Sequence, residues 1–281
     1  MRKYLTVAGV LIFACVLGTI VWNLTSKVSP IITTNGRAVL VSDNMYALYL
    51  DMENQGPADV LSGIDPETKG QVSFMGVGAG LKPVIPESSK ASFSADGAHI
   101  MFRSTEELKP GSFISLSLSF ENSGDVPAKL LINVGSKAKG DTGEAMDHSM
   151  NGTKSEEPAK MDHSMHAMGS SMNVNDPSKA PKMIMVLDTN KDRTASISLQ
   201  TENFNFVELV EEPAAHVDGE GHGHLYLNGL KIQRMYGPST KIGALPVGRH
   251  EISVTLNTND HRFYAVNGER VEASEQININ E

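Results

Sequence analysis

Residues 114–120 read Ile114-Ser115-Leu116-Ser117-Leu118-Ser119-Phe120. Successive side chains of an extended chain point to opposite faces, so this alternation puts the apolar groups on one face and the serines on the other, the mark of a half-buried strand. Leu130, Ile132 and Val134 repeat the period, after a turn predicted at the Gly-Asp-Val-Pro of Gly124–Pro127. Ala195-Ser196-Ile197-Ser198-Leu199 and Ile252-Ser253-Val254-Thr255-Leu256 alternate in the same way. Leu225–Ile232 predicts a hairpin turning on Asn228-Gly229, because both residues tolerate the positive φ of a type I′ turn, and Asn267-Gly268 predicts another. No long stretch carries a helical amphipathic period. The pattern predicts an all-β protein of sandwich or barrel type.

Composition divides the 281 residues into segments. Within residues 1–28, Arg2 and Lys3 precede an uncharged run, Tyr4–Leu24, with Trp22 near its far end. As a helix this run is about 30 Å long, the thickness of a bilayer core. Basic residues before the span predict a transmembrane helix anchored in the inner membrane with the body in the periplasm. A cleaved signal releasing a periplasmic protein is the alternative, although no Ala-x-Ala site follows the run. Residues 31–135 and 182–281 carry the strand patterns and predict two β-sandwich domains. Residues 136–181 are rich in Ser, Gly, Lys, Asp, Pro, Met and His, with Val174 the only bulky aliphatic residue, and predict a disordered linker.

The chain has 24 Lys+Arg against 33 Asp+Glu, net −9, and no basic run, which argues against a nucleic-acid partner. Its single cysteine excludes an internal disulfide, a cysteine-based zinc site and an iron–sulfur cluster. Against that scarcity stand 14 methionines and 9 histidines. In an oxidising compartment, a chain needing soft sulfur ligands without stray disulfides uses methionine. The linker carries Met146-Asp147-His148-Ser149-Met150, then Met161-Asp162-His163-Ser164-Met165, followed by His166 and Met168. Thioethers prefer Cu(I) and imidazole takes either copper oxidation state, so this duplicated motif predicts copper binding. The bland alternative is a solvated linker with accidental methionines, against which the duplicated pentapeptide counts; a methionine-lined helix face is a further alternative, but nothing else apolar would share it.

Two further places draw attention. In Gly97-Ala98-His99-Ile100-Met101, His99 and Met101 lie two apart and share one side of an extended strand. In His216-Val217-Asp218-Gly219-Glu220-Gly221-His222-Gly223-His224, with His261 farther on, His222 and His224 form another such pair. This cluster reads either as a site for copper, including Cu(II), or zinc, or as hydrogen-bonded histidines shaping a loop.

The stretches Met45–Gly56, Asp96–Phe102 and Leu108–Gly111 leading into Leu116–Glu121 together resemble the PCu(A)C periplasmic copper chaperones, over about 100 residues. The resemblance implies a cupredoxin-like fold for the first domain and a Cu(I) site of His, Met and a His-x-Met pair. That pair corresponds to His99 and Met101; Met75 stands where the family has its first His, and Leu81 where its second Met is expected. The set carried forward is Met75, His99 and Met101. No phosphate loop, His-Glu-x-x-His helix or Gly-x-Ser-x-Gly elbow is present, so a non-enzymatic role is predicted. The chain thus reads as a membrane-tethered copper carrier delivering Cu(I) to an exported or membrane acceptor, such as a respiratory oxidase copper centre. Copper sequestration without delivery, and a protein-binding assembly module with structural histidines, are the alternatives.

Overall fold

The computed structural model describes residues 29–133, 170–208 and 216–281. The sequence-predicted anchor (1–28) and the methionine–histidine repeats (146–168) lie outside the described residues. Among the described residues all regular structure is strand, and no helix is long and apolar enough to cross a membrane.

The first part of the chain holds β1 (Ile31–Ser42), β2 (Met45–Asn54), β3 (Asp59–Pro66), β4 (Gly70–Met75), β5 (Val84–Ile85), β6 (Lys90–Phe93), β7 (His99–Ser104), β8 (Phe113–Phe120) and β9 (Gly124–Ile132). β2 is shared: β1 pairs along one edge, while the other meets β7 from Met45 to Leu48 and β6 from Leu50 to Glu53. β4 then pairs β7, and from β1 the order runs on through β9, β8, β3 and β5. The alternation read in β8 is realised, with Ile114, Leu116, Leu118 and Phe120 buried alongside Leu48, Leu50, Phe93, Ile100 and Phe102.

One turn differs from the sequence reading. The chain reverses at residues 121–123, and Pro127 sits inside β9 opposite Ser117. The buried Asp59 carboxylate accepts bonds from the Asn122 and Ser123 backbone N–H groups and the Ser123 hydroxyl, fixing the reversal early. β9 pairs β1 only at Leu131 and Ile132, so Pro127 lies where the strand has an open edge and a missing N–H costs little.

The remainder holds β10 (Ser171–Asn173), β11 (Lys182–Thr189), β12 (Ala195–Glu202), β13 (Asn205–Phe206), β14 (Glu220–Leu227), β15 (Leu230–Met235), β16 (Ser239–Ile242), β17 (Gly248–Asn257), β18 (Phe263–Val266), β19 (Glu269–Arg270) and β20 (Glu272–Ile279). β15, β14, β17 and β20 make one sheet, and β11, β12 and β16 a second. Ile197, Leu199 and Ile242 of the small sheet meet Leu225, Leu227, Ile252 and Val254 of the large one, a sandwich core. Both Asn-Gly hairpins form: Asn228 and Gly229 adopt φ 50° and 87°, Asn267 and Gly268 52° and 84°. β17 is buried on both faces from Ile252 to Asn257, where alternation alone suggested one. Residues 170–181, assigned to the linker by composition, are drawn into this part. β10 adds in parallel to β18, and Met172 and Val174 pack near Tyr264 and Leu256, so two side chains and backbone bonds tie down a stretch otherwise poor in aliphatic residues.

The two parts interlock. Lys231 pairs with Ser92, and all strands except β11, β12 and β16 join one closed hydrogen-bonded system. The Ala98 N–H donates to Gly229 O at 2.7 Å, and Leu230 of β15 packs into the first core.

Candidate metal centres

β7 and β4 build the first group. His99 is followed on the same face by Met101, while Ile100 and Phe102 point into the core. In the antiparallel register Met75 lies directly opposite His99, and Ser73 opposite Met101. Directly opposed residues have Cβ atoms about 4.5–5.5 Å apart, within reach of a shared ion. The structure therefore brings Met75, His99 and Met101 onto one outer face of the sheet. His99 is buried, Met75 and Met101 half-buried. The His99 ring lies 6.0 Å from that of Tyr49, and its Nδ1 is 3.2 Å from Gly97 O. Met75 and His99 line a cleft of about 330 Å³ with Asp96, Tyr226 and, toward solvent, Glu251 and Glu272. Leu81, on the loop after β4, brings no donor atom; its backbone N–H bonds to Gly78 O.

β14 and the turn after β17 build the second group. His222 and His224 project from the same side of β14, 0% and 1% exposed. His261 comes from the turn in which its own N–H bonds to Thr258 O, and it adopts φ 66°. One ring nitrogen from each of the three lies within 4.8 Å of the others. His222 Nε2 and His224 Nε2 are 2.9 Å apart, and the His222 and His261 ring centres 5.1 Å. His216, sequence-predicted to join them, does not: Asp218 Oδ1 takes its Nε2 at 2.8 Å, and its ring lies toward Tyr264. A charged neighbour two residues away captured it.

The sequence reading did not single out Asp96, which precedes β7 and reaches across to the second group. His224 Nδ1 bonds to Asp96 Oδ2 at 2.6 Å, the Tyr226 hydroxyl donates to the same oxygen at 3.0 Å, and Lys231 Nζ lies 3.0 Å from both oxygens. Burial pushes the Asp96 carboxyl up, but the His224 and Lys231 interactions outweigh it and hold it well below the usual carboxylate range. An ionised carboxylate only accepts, so His224 carries its proton on Nδ1 and a lone pair on Nε2. His222 Nε2 then donates to that lone pair, leaving His222 Nδ1 as an acceptor that is buried and has no hydrogen-bond partner. Burial, then the neighbouring histidines and cations, pushes His222 down to about 3, and burial pushes His224 down to about 4 despite Asp96. Both rings are neutral near pH 7 and keep lone pairs for a ligand role. No local pattern could have flagged Asp96, since His224 lies 128 residues on.

Neither a protein-family model nor a curated protein matches the chain. Among solved structures, the copper-bound PCuAC domain from PmoF2 is similar over 39% of this chain and 97% of its own length, at 19% identity and a TM-score of 0.35. The apo PCuAC domain from PmoF1 is similar over 39% of this chain and 98% of its own, also at 19% identity and TM-score 0.35. The N-terminal periplasmic domain of ScsB from Proteus mirabilis covers 89% of this chain and 93% of itself at 12% identity, with a TM-score of 0.25. At such scores these likenesses carry no functional weight, and the reading of function rests on the residues.

Proposed function

We propose that this chain is a copper carrier of the periplasm, held at the inner membrane by residues 1–28. It captures Cu(I) through Met75, His99 and Met101, and through Met146, His148, Met150, Met161, His163, Met165, His166 and Met168. It passes the ion by ligand exchange to an exported or membrane acceptor such as a respiratory oxidase copper centre. The observation that carries the reading is the β4–β7 register: it sets two thioethers and an imidazole on one face, a soft donor set that suits Cu(I) and few other ions. The adjoining cleft supports exchange, because Met75 and His99 line it and an incoming ligand can reach the ion there. Tethering confines donor and acceptor to one surface and raises their effective concentration. The role is transport without chemistry on a substrate.

Anaerobic competition of the full chain against a Cu(I) chelator tests the reading. His99→Ala and Met101→Ala should each weaken the tightest equivalent at least tenfold, and deleting residues 146–168 should remove most of the capacity. Wild-type affinity in His99→Ala would sink the assignment. Incubation of the loaded chain with an apo acceptor fragment separates delivery from sequestration, since a sequestering protein keeps its copper.

A further inference from the structure

Beyond that Cu(I) site, we infer that His222, His224 and His261 form a second metal centre for one borderline divalent ion of the Cu(II)/Zn(II) class, with Asp96 as its positioning carboxylate. Three imidazoles are a donor set such ions favour. The geometry is close to what one ion needs. Ligands about 2.0–2.1 Å from a tetrahedral ion stand about 3.3 Å apart, so the 2.9 Å His222–His224 separation needs to open by only about 0.4 Å. His261 completes the set by moving inward from within 4.8 Å, and it is the half-buried member, on a turn rather than a strand.

A hydrogen-bonded trio without metal accounts for part of this arrangement. It does not require three imidazoles to converge from β14 and a separate turn; with an ion on the two Nε2 atoms, the His222 proton would move to Nδ1, which is buried and unpartnered here. Nor does it require the Asp96–His224 contact, which fixes the lone pair of His224 Nε2 as carboxylate–histidine pairs do behind metal ligands. Lys231 stands on Asp96 and Arg234 pairs in register with His224, so the surroundings are not acidic. A hard cation held by charge alone does not suit such a place; an ion bound through nitrogen lone pairs does. Asp96 belongs to the first part of the chain and the ligands to the second, so the occupied centre would clamp the two together.

The full-length chain, titrated with Co(II) alone and then with Zn(II), tests this. One Co(II) equivalent with intense tetrahedral visible bands, displaced by Zn(II), is expected. His261→Ala should lose it, and Asp96→Asn should weaken it about 10–100-fold. His216→Ala and a His148→Ala/His163→Ala/His166→Ala variant should retain it, which excludes the linker as its source. His99→Ala should also retain it, so failure of the Cu(I) reading and failure of this one are told apart. An unchanged equivalent in His261→Ala, or equal loss in His216→Ala, overturns the assignment. Should His261→Ala fail to fold, the wild-type melting temperature decides: it should rise with Zn(II), and less so in Asp96→Asn. No rise refutes the centre.

Discussion

The contact between the two parts of the chain can be measured with one methyl group. Gly229 closes the β14–β15 hairpin at φ 87°, and a Cβ there would sit 2.0 Å from Gly76 O, 3.0 Å from Gly76 C and 3.3 Å from the Ala98 Cβ. Gly268 occupies the equivalent position of the other Asn-Gly hairpin at φ 84°, with nothing within 4 Å of its Cβ position. An L side chain in the left-handed region costs about 1–2 kcal/mol, which both alanine variants bear. Gly229→Ala adds an overlap with backbone, which no rotamer change can relieve, and overpacking of this kind costs about 1–3 kcal/mol more. Gly268→Ala is therefore expected to cost about 1–2 kcal/mol and Gly229→Ala about 2–5 kcal/mol. For a folded body of this size each kcal/mol lowers the melting temperature by about 2–4 °C, so the variants should separate by several degrees. Urea unfolding followed by circular dichroism gives the difference directly. Because the displaced backbone is Gly76, next to Met75, Gly229→Ala should also weaken Cu(I) binding while Gly268→Ala leaves it intact. Equal destabilisation by the two substitutions would show that the hairpin tip does not rest on Gly76, and the interlocked arrangement would fail with it.

The metal-free protein should lose stability in mild acid. His222 and His224 titrate at about 3 and about 4 when folded but near their ordinary 6.5 when unfolded, so below 6.5 the unfolded chain binds the extra protons. The stability they contribute is complete above about 6.5 and is lost as pH falls toward 3, about 2 kcal/mol per histidine between pH 6.5 and 5. Urea midpoints at the two pH values check this, and a His222→Gln/His224→Gln variant should show a much flatter dependence. Lys231→Met removes two bonds to Asp96 in a place where both side chains are less than a fifth exposed. Breaking a buried pair costs about 3–5 kcal/mol, and the remaining His224 and Tyr226 donors should cut that to about 2–3 kcal/mol. A change under about half a kcal/mol would show the pair to be solvated. Gly97→Ala places a Cβ 2.8 Å from Gly229 O and 2.9 Å from Tyr226 Cε1, so it should weaken the Cu(I) and the divalent sites together. Loss at one site alone, in parallel metal titrations, would deny that coupling.

Much of the architecture was legible because its signals are local. Alternation in residues 114–120 and 195–199 and the two Asn-Gly pairs depend on neighbours in sequence, and each appears where it was read. Pro127 misled because a proline reads as a turn unless one knows that its strand has an open edge there, and the decisive group, Asp59, lies 64 residues from Ser123. In the first site, the His99/Met101 pair was visible as a two-residue period, but the place of Met75 depends on a strand register that spacing alone does not supply. In the second, His222 and His224 were visible by the same period. His261 joins through the fold of the turn after β17, and His216, nearer in sequence, is excluded by Asp218.

The segment Asp96–Met101 shows why the sites resisted separation by sequence. Strand geometry sends His99 and Met101 to one outer face, and the turn before β7 turns Asp96 toward His224. Between them, the Ala98 N–H is bonded to Gly229 O and Gly97 packs against Tyr226, so the backbone linking the two groups is itself held by the other half of the chain. A displacement of this hairpin cannot move His99 without also moving the carboxylate that fixes the His224 tautomer. The donors nonetheless remain sorted by softness, with thioethers on one side of the segment and only imidazoles on the other. If both proposed sites bind, two ions of different character would sit on either side of this segment without competing for the same ligands.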